Sequence, residues 1–401
     1  MPLALLALAV SAFGIGTTEF VMMGLLPNVA NDLHTSVPTA GYLVSAYAIG
    51  VVVGAPLLTA LGSRIPRKRM LVLLMALFTV GNLASALAPN FGLLIAGRVL
   101  AGLPHGAFFG VGAVVASRLV SEDRRARAVA TMFLGLTIAN IVGVPVATLL
   151  GQHLGWRATF LVVSAIGVVA MGALARLVPQ VSLEQHGGLR QELGALRDRQ
   201  VILGLLTAVF GFAGVFAVYS YLASMMTEVT GFGESTVTLV LALFGIGMTL
   251  GALIAGPLTD RALRPTLYGS LAALAVTLVA FDFTVHVKWA ALLSVVVLGA
   301  VGFMTTTPLQ MLVMNKAQHA PTLASASNHS AFNLANAGGA WLGGVAIAAG
   351  WGWTSPTLVG AVLAVIGLAI ALIAGRSDRA PGGGSRVVAS SESMPHLSEV
   401  G

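Results

Sequence analysis

The stretch "GTTEFVMMGLLP", residues 16–27, sits in an apolar run that starts at Pro2 and holds one charge, Glu19. Crossing about 30 Å of hydrocarbon takes about 20 apolar residues, and this run is long enough. Similar runs recur along all 401 residues, of which 57% are hydrophobic and only 9% charged. A typical soluble protein is about 25% charged, so this chain lacks the residues to cover a water-soluble core. It reads as an all-helical, polytopic membrane protein with the lipid bilayer as its solvent. No basic segment precedes the run and it continues past Ala12, which predicts a retained first helix and not a cleaved leader.

Breaks at charges, prolines and glycines divide the chain into twelve spans near 3–27, 39–61, 70–88, 91–117, 128–150, 158–178, 201–226, 236–256, 265–285, 289–313, 323–349 and 355–375. Eighteen of the 21 Lys and Arg fall in alternate connections or in the tail, while Arg157 and Lys288 lie on the other side and Arg98 lies within a span. The positive-inside rule then places both termini in the cytoplasm. The net charge of +7 would point to nucleic acid in a soluble chain. Here the placement of the cations explains it, and no nucleic-acid partner is expected. There is no cysteine, which excludes disulfides and thiolate-held metals. Neither metal nor other cofactor is expected.

The chain is also doubled. "ANIVG" at 139–143 returns as "ANAGG" at 335–339, "GW" at 155–156 as "GW" at 352–353, and "SRIPRK" after the second span as "DRALRP" after the eighth. The predicted organisation is a six-helix bundle over 1–178, a cytoplasmic linker over 179–200, a second six-helix bundle over 201–375 and a disordered tail over 376–401. Such repeats are common in secondary transporters, with a site between the halves near the midplane.

Four stretches resemble the major facilitator superfamily. "GPLTDRALR" (256–264) is similar to its cytoplasmic loop signature and "LLIAGRVLAGLPHG" (93–106) to its fourth-helix motif. "ANIVGVPVATLLGQHLGWRATF" (139–160) resembles the fifth-helix motif of its drug:proton antiporter branch. "GTTEFVMMGLLPNVANDL" (16–33) resembles the first helix of that branch's chloramphenicol exporters and arabinose-type sugar exporters. The resemblance covers residues 1 to about 375. It implies a monomeric proton-coupled efflux protein of the bacterial inner membrane, gated by Arg64, Asp260, Arg261 and Arg264. One departure stands out: Ser63 occupies the acid's place in the first half's copy of the loop, which leaves Asp260 to carry the gate.

Glu19 is the only deep acid, about 12 Å from the outer end of its helix if that end is Pro27. Desolvation there favours the neutral carboxyl, as a proton carrier requires, and the alternative is a fixed ion pair. Arg98 lies about 10 Å below the same surface and is a candidate partner. Arg98, Gly102, His105 and Phe109 share one helix face, which makes His105 a candidate proton relay, or else a packing residue. Phe20, Met23, Tyr47, Phe109, Phe216 and Tyr219 are candidate walls for an adaptable apolar pocket, with lipid-facing or packing roles as the alternative. Asn140 and Asn336 hold matching places in the two halves, either as substrate contacts or as interhelical glue. Glycines in the second, fifth, eighth and eleventh spans permit close helix crossings.

The predicted function is export of a small amphipathic drug in exchange for protons by alternating access. Export of a sugar or another metabolite by the same machine is the alternative. The few polar residues in the presumed cavity favour the drug. No HExxH, Ser–His–Asp arrangement or nucleotide-binding loop is present, so neither an enzyme nor an ATP-driven pump is expected.

Overall fold

The computed structural model describes residues 3–62, 65–121, 124–180, 198–316 and 321–377, all helix, turn or short connection. The first half comprises α1 (Leu3–Asp32), α2 (Val37–Leu61), α3 (Arg67–Ala86), α4 (Phe91–Arg118), α5 (Arg125–Ile138, Ala139–Gly143 and Val144–Leu154) and α6 (Trp156–Leu177). In the second half, α7 (Arg199–Glu228) precedes one helical stretch, Glu234–Thr284, which contains α8 (234–261) and α9 (263–284). The remaining helices are α10 (Lys288–Lys316), α11 (Pro321–Ala348) and α12 (Ser355–Ser377). Among the described residues, ten helices are long and apolar enough to cross a membrane. One of the ten is the 51-residue stretch, which at 1.5 Å per residue is about twice as long as a bilayer needs. Dividing it and adding α11 accounts for the twelve spans.

Three local structures differ from the sequence expectation. Helix α1 does not end at Pro27 but continues to Asp32; a bundled membrane helix accommodates the missing N–H because neighbouring groups satisfy the freed carbonyl. The expected loop after α8 is nearly continuous helix, broken only at Ala262 (φ −157°, ψ 80°). Pro265 removes one donor and disfavours helical geometry just before it. The Thr266 hydroxyl lies within hydrogen-bond reach of two carbonyls at the break, Ala262 O (2.8 Å) and Leu258 O (2.9 Å), which share its one proton. In α5 the motif "ANIVG" forms one π-helical turn over Ala139–Gly143, a widening often found at functional positions.

The two halves meet unequally at their two ends. Toward the Asp32 end one apolar core draws on both halves, including Met23, Leu25 and Val44 from the first and Phe216, Met226 and Leu241 from the second. Toward the Leu3 end each half keeps its own core, one built around Leu8, Phe78 and Val115, the other around Leu267, Leu271 and Leu309. Polar contacts reinforce the shared end. Between the halves, Ser45 Oγ donates to Ala337 O (2.9 Å) and Gln152 Nε2 to Glu234 O (3.2 Å), and within the second half the Tyr221 hydroxyl donates to Ala340 O (2.9 Å). Close crossings depend on missing side chains: a Cβ at Gly54 would meet the Leu103 backbone, and one at Gly245 the Asn140 backbone. The apolar core is thus shared at one end and split at the other, where Phe109 and Phe133 still meet His329 across the split.

Candidate functional site

Glu19 lies near the middle of α1, about 20 Å from its Asp32 end, and is 7% exposed. Its Oε2 is 4.0 Å from His105 Nδ1, and the same ring nitrogen is 3.1 Å from the Tyr47 hydroxyl. Arg98 is fully buried one face-repeat above His105 on α4. It donates through NH1 to Thr18 O (3.0 Å) and Thr18 Oγ1 (3.3 Å), and through Nε to Leu43 O (3.4 Å). Its guanidinium lies 4.5 Å from the Tyr47 ring centre and 5.7 Å from that of Phe160. Thr18 passes the network on, donating to Asn82 Oδ1 at 2.5 Å.

The anticipated Glu19–Arg98 ion pair is therefore not formed. Side chains tilt toward the N-terminus of their own helix, and α1 and α4 run antiparallel. The Glu19 carboxylate leans toward the Leu3 end and reaches His105, while Arg98 leans toward the Asp32 end and reaches carbonyls. Tyr47 links the two through its ring and its hydroxyl.

The aromatic candidates converge in two groups. Phe20, Phe216 and Tyr219 pack with centroids 6.0–6.2 Å apart, joining α1 to α7. Tyr219 stacks on Phe244 at 4.0 Å, and Met23 lies in the same shared core. Phe109 joins the other group, 5.1 Å from His105 and stacked on Phe133 at 5.2 Å. Asn140, in the π turn, and Asn336 are both buried, and each leaves its Oδ1 without a partner.

Phe133, His329, Thr18 and Asn82 were not singled out from the sequence. A signal for two of them was present, because the 196-residue offset that equates Asn140 with Asn336 also equates Phe133 with His329. Their rings are parallel within 5°, with centroids 6.4 Å apart.

The gating candidates are not assembled with this cluster. Asp260 and Arg261 are exposed beside the α8–α9 break, and Arg264 NH1 donates to Gly375 O at 3.4 Å. Among the described residues Asp260 has no ion-pair partner within 4 Å. Arg64 lies outside the described residues, as do most of the 179–200 linker and nearly all of the 376–401 tail. At the Asp32 end, Asp32 accepts hydrogen bonds from Arg157 and from Trp156 Nε1 (3.0 Å), and Arg157 NH2 also donates to Ala88 O (3.1 Å). This clasp ties the end of α1 to the α3–α4 and α5–α6 turns.

Residues 8–340 match the sequence profile of the Major Facilitator Superfamily. The chain belongs to that family. The transporter is 45% identical over 374 residues to the inner membrane transport protein YdhP of Escherichia coli K12, covering 93% of this chain and 96% of that protein. It is 34% identical over 375 residues to a chloramphenicol resistance protein of Streptomyces lividans, covering 92% and 96%. Its fold matches the crystal structure of a D-xylose–proton symporter with a TM-score of 0.75 at 16% identity, covering 92% and 96%. The all-helical architecture of two six-helix halves is therefore that of a small-molecule membrane transporter, not of an enzyme.

Proposed function

We propose that this transporter exports a small amphipathic compound, chloramphenicol-like in character, across the bacterial inner membrane in exchange for protons. The observation that carries this reading is the Glu19–His105–Tyr47 cluster, which lies beside the residue that opens the aromatic wall, Phe20. A carboxyl at that depth is tolerated most easily when neutral. The same acid can therefore hold a proton when the site is empty of substrate and release it when substrate is to be bound. The charge asymmetry of the connections sets the Leu3 end, and with it both termini, in the cytoplasm. The divided end then faces the cytoplasm, where an exporter loads its cargo. Substrate bound beside Glu19 competes with reprotonation of its carboxyl. Closure of the Leu3 end and parting of the Asp32 end would then expose both to the outside. Asp260 and the arginines beside the α8–α9 break serve that closure.

The relative named for chloramphenicol resistance supports the choice of cargo. In liposomes with an imposed pH gradient, wild type should accumulate chloramphenicol uphill, and dissipating the gradient should stop it. Accumulation that ignores the gradient would refute proton exchange.

A further inference from the structure

Helices α5 and α11 hold equivalent places in the two halves. On each, the residues that equate them are seven apart: Phe133 and Asn140 on one, His329 and Asn336 on the other. Seven residues make two turns on one helix face, about 10.5 Å. At the lower level the rings meet. Phe133 and His329 are parallel within 5°, and Phe109 is within 13° of Phe133 and 11° of His329. The ring-bearing faces of α5 and α11 therefore look at each other across the boundary between the halves. The two asparagines stand on those faces two turns closer to the Asp32 end.

The amides have a defined orientation. Asn140 Nδ2 donates to Leu136 O at 3.0 Å, and Asn333 Nδ2, on the same side of α11, donates to His329 O at 3.1 Å. A backbone carbonyl only accepts, so the amide nitrogen must face it and Oδ1 must face away. The Oδ1 atoms of Asn140, Asn333 and Asn336 are buried with no hydrogen-bond partner, in residues 6%, 5% and 2% exposed. Buried acceptors are rarely left unpaired because desolvation is then uncompensated. Three of them on two facing helices call for a donor that the protein does not supply.

We propose that α5 and α11 form a substrate slot for a neutral aromatic molecule carrying hydroxyl or amide N–H groups. Its ring lies along Phe109, Phe133 and His329, and its donors reach the three asparagine oxygens. The inference rests on the reading of the chain as an exporter of small amphipathic compounds and narrows the substrate class. The amides of Asn140, Asn333 and Asn336 offer acceptors, which selects O–H or N–H bearing compounds, while Asn328, next to His329 on α11, leaves both its Nδ2 and its Oδ1 unpaired and takes a partner of either polarity. The parallel rings select a flat π-face, which a sugar lacks.

The test is equilibrium binding to the purified full-length transporter in lipid nanodiscs, without a pH gradient. The probes are chloramphenicol, its diacetate with both hydroxyls capped, and arabinose. Wild type should bind the parent about tenfold or more tightly than the diacetate, the difference expected for two lost hydrogen bonds. Asn140→Leu and Asn336→Leu should each weaken the parent severalfold and leave the diacetate nearly unchanged. Without ligand, both variants should melt no lower than wild type, since each removes an unpaired acceptor. Equal losses for parent and diacetate, or a lower melting temperature without ligand, would assign the asparagines to architecture and overturn the slot. Binding of arabinose in place of the aromatic probes, or of no probe at all, would overturn it too. Failure of proton exchange alone would leave these binding differences intact, so the two readings fail separately.

Discussion

The two halves share a helical plan and differ in what they bury. The first half buries Glu19, Arg98 and His105, each against a defined neighbour. The offset of 196 that aligns the asparagines carries these three to Val215, Ser294 and Val301. The second half presents Phe212, Phe216, Tyr219 and Phe244 instead, together with the amides of α11. Duplication repeats spans, because each must satisfy its own backbone and match the bilayer. It does not have to repeat charge, and a buried charge is costly enough that one copy suffices. On the proposed function, proton handling sits in one half, while substrate surface is drawn from both.

The strongest way to break that contrast is to neutralise one residue in each half. Glu19→Gln keeps size and removes the titrating proton, and it should abolish uphill accumulation in liposomes while facilitated, downhill movement persists. Asn336→Leu should raise the substrate concentration needed but retain the full accumulation ratio at saturation. If both variants uncouple alike, the division of labour is wrong.

Arg98 comes next in expected effect. Lysine keeps the charge but cannot both lie flat on Tyr47 and donate to Thr18 and Leu43. Arg98→Lys should cost stability by about 2 kcal/mol, as for loss of a charged hydrogen bond, and lower transport strongly. Thermal melting in detergent, read beside transport at matched expression, checks both. An unchanged melting temperature would mean that the carbonyl contacts contribute nothing.

The proposed gate offers a milder test of the same asymmetry. Asp260→Asn should slow initial transport rates severalfold, whereas Ser63→Ala, at the matching place in the first half, should leave them near wild type. Equal effects would remove the distinction between the two loops.

The smallest expected effect concerns the joined end. A Cβ at Gly41 would run into the Tyr221 hydroxyl, so Gly41→Ala should loosen the contact between α2 and the second half. The chain has no cysteine, so a single cysteine introduced at Ser45 reports on opening without background. Its labelling rate should rise modestly in the Gly41→Ala variant, and no change would show that Tyr221 simply repacks.

Much of this was legible in the residues alone. Hydrocarbon thickness and the cost of unpaired backbone in lipid reduce the choice to apolar helices of set length, so span number and order follow from hydropathy. Glu19 stands out because a lone acid in such a run has no surface to occupy. What a string of spans leaves open is how each helix is rotated and which neighbour it meets. That freedom decided that Glu19 faces His105 and not Arg98, since antiparallel helices send their side chains in opposite directions. It also brought Phe133 on α5 to His329 on α11, residues 196 apart, and left the Oδ1 atoms of the asparagines on those helices without partners. Local pattern sets each helix, whereas contacts between distant helices exist only once the whole bundle has packed.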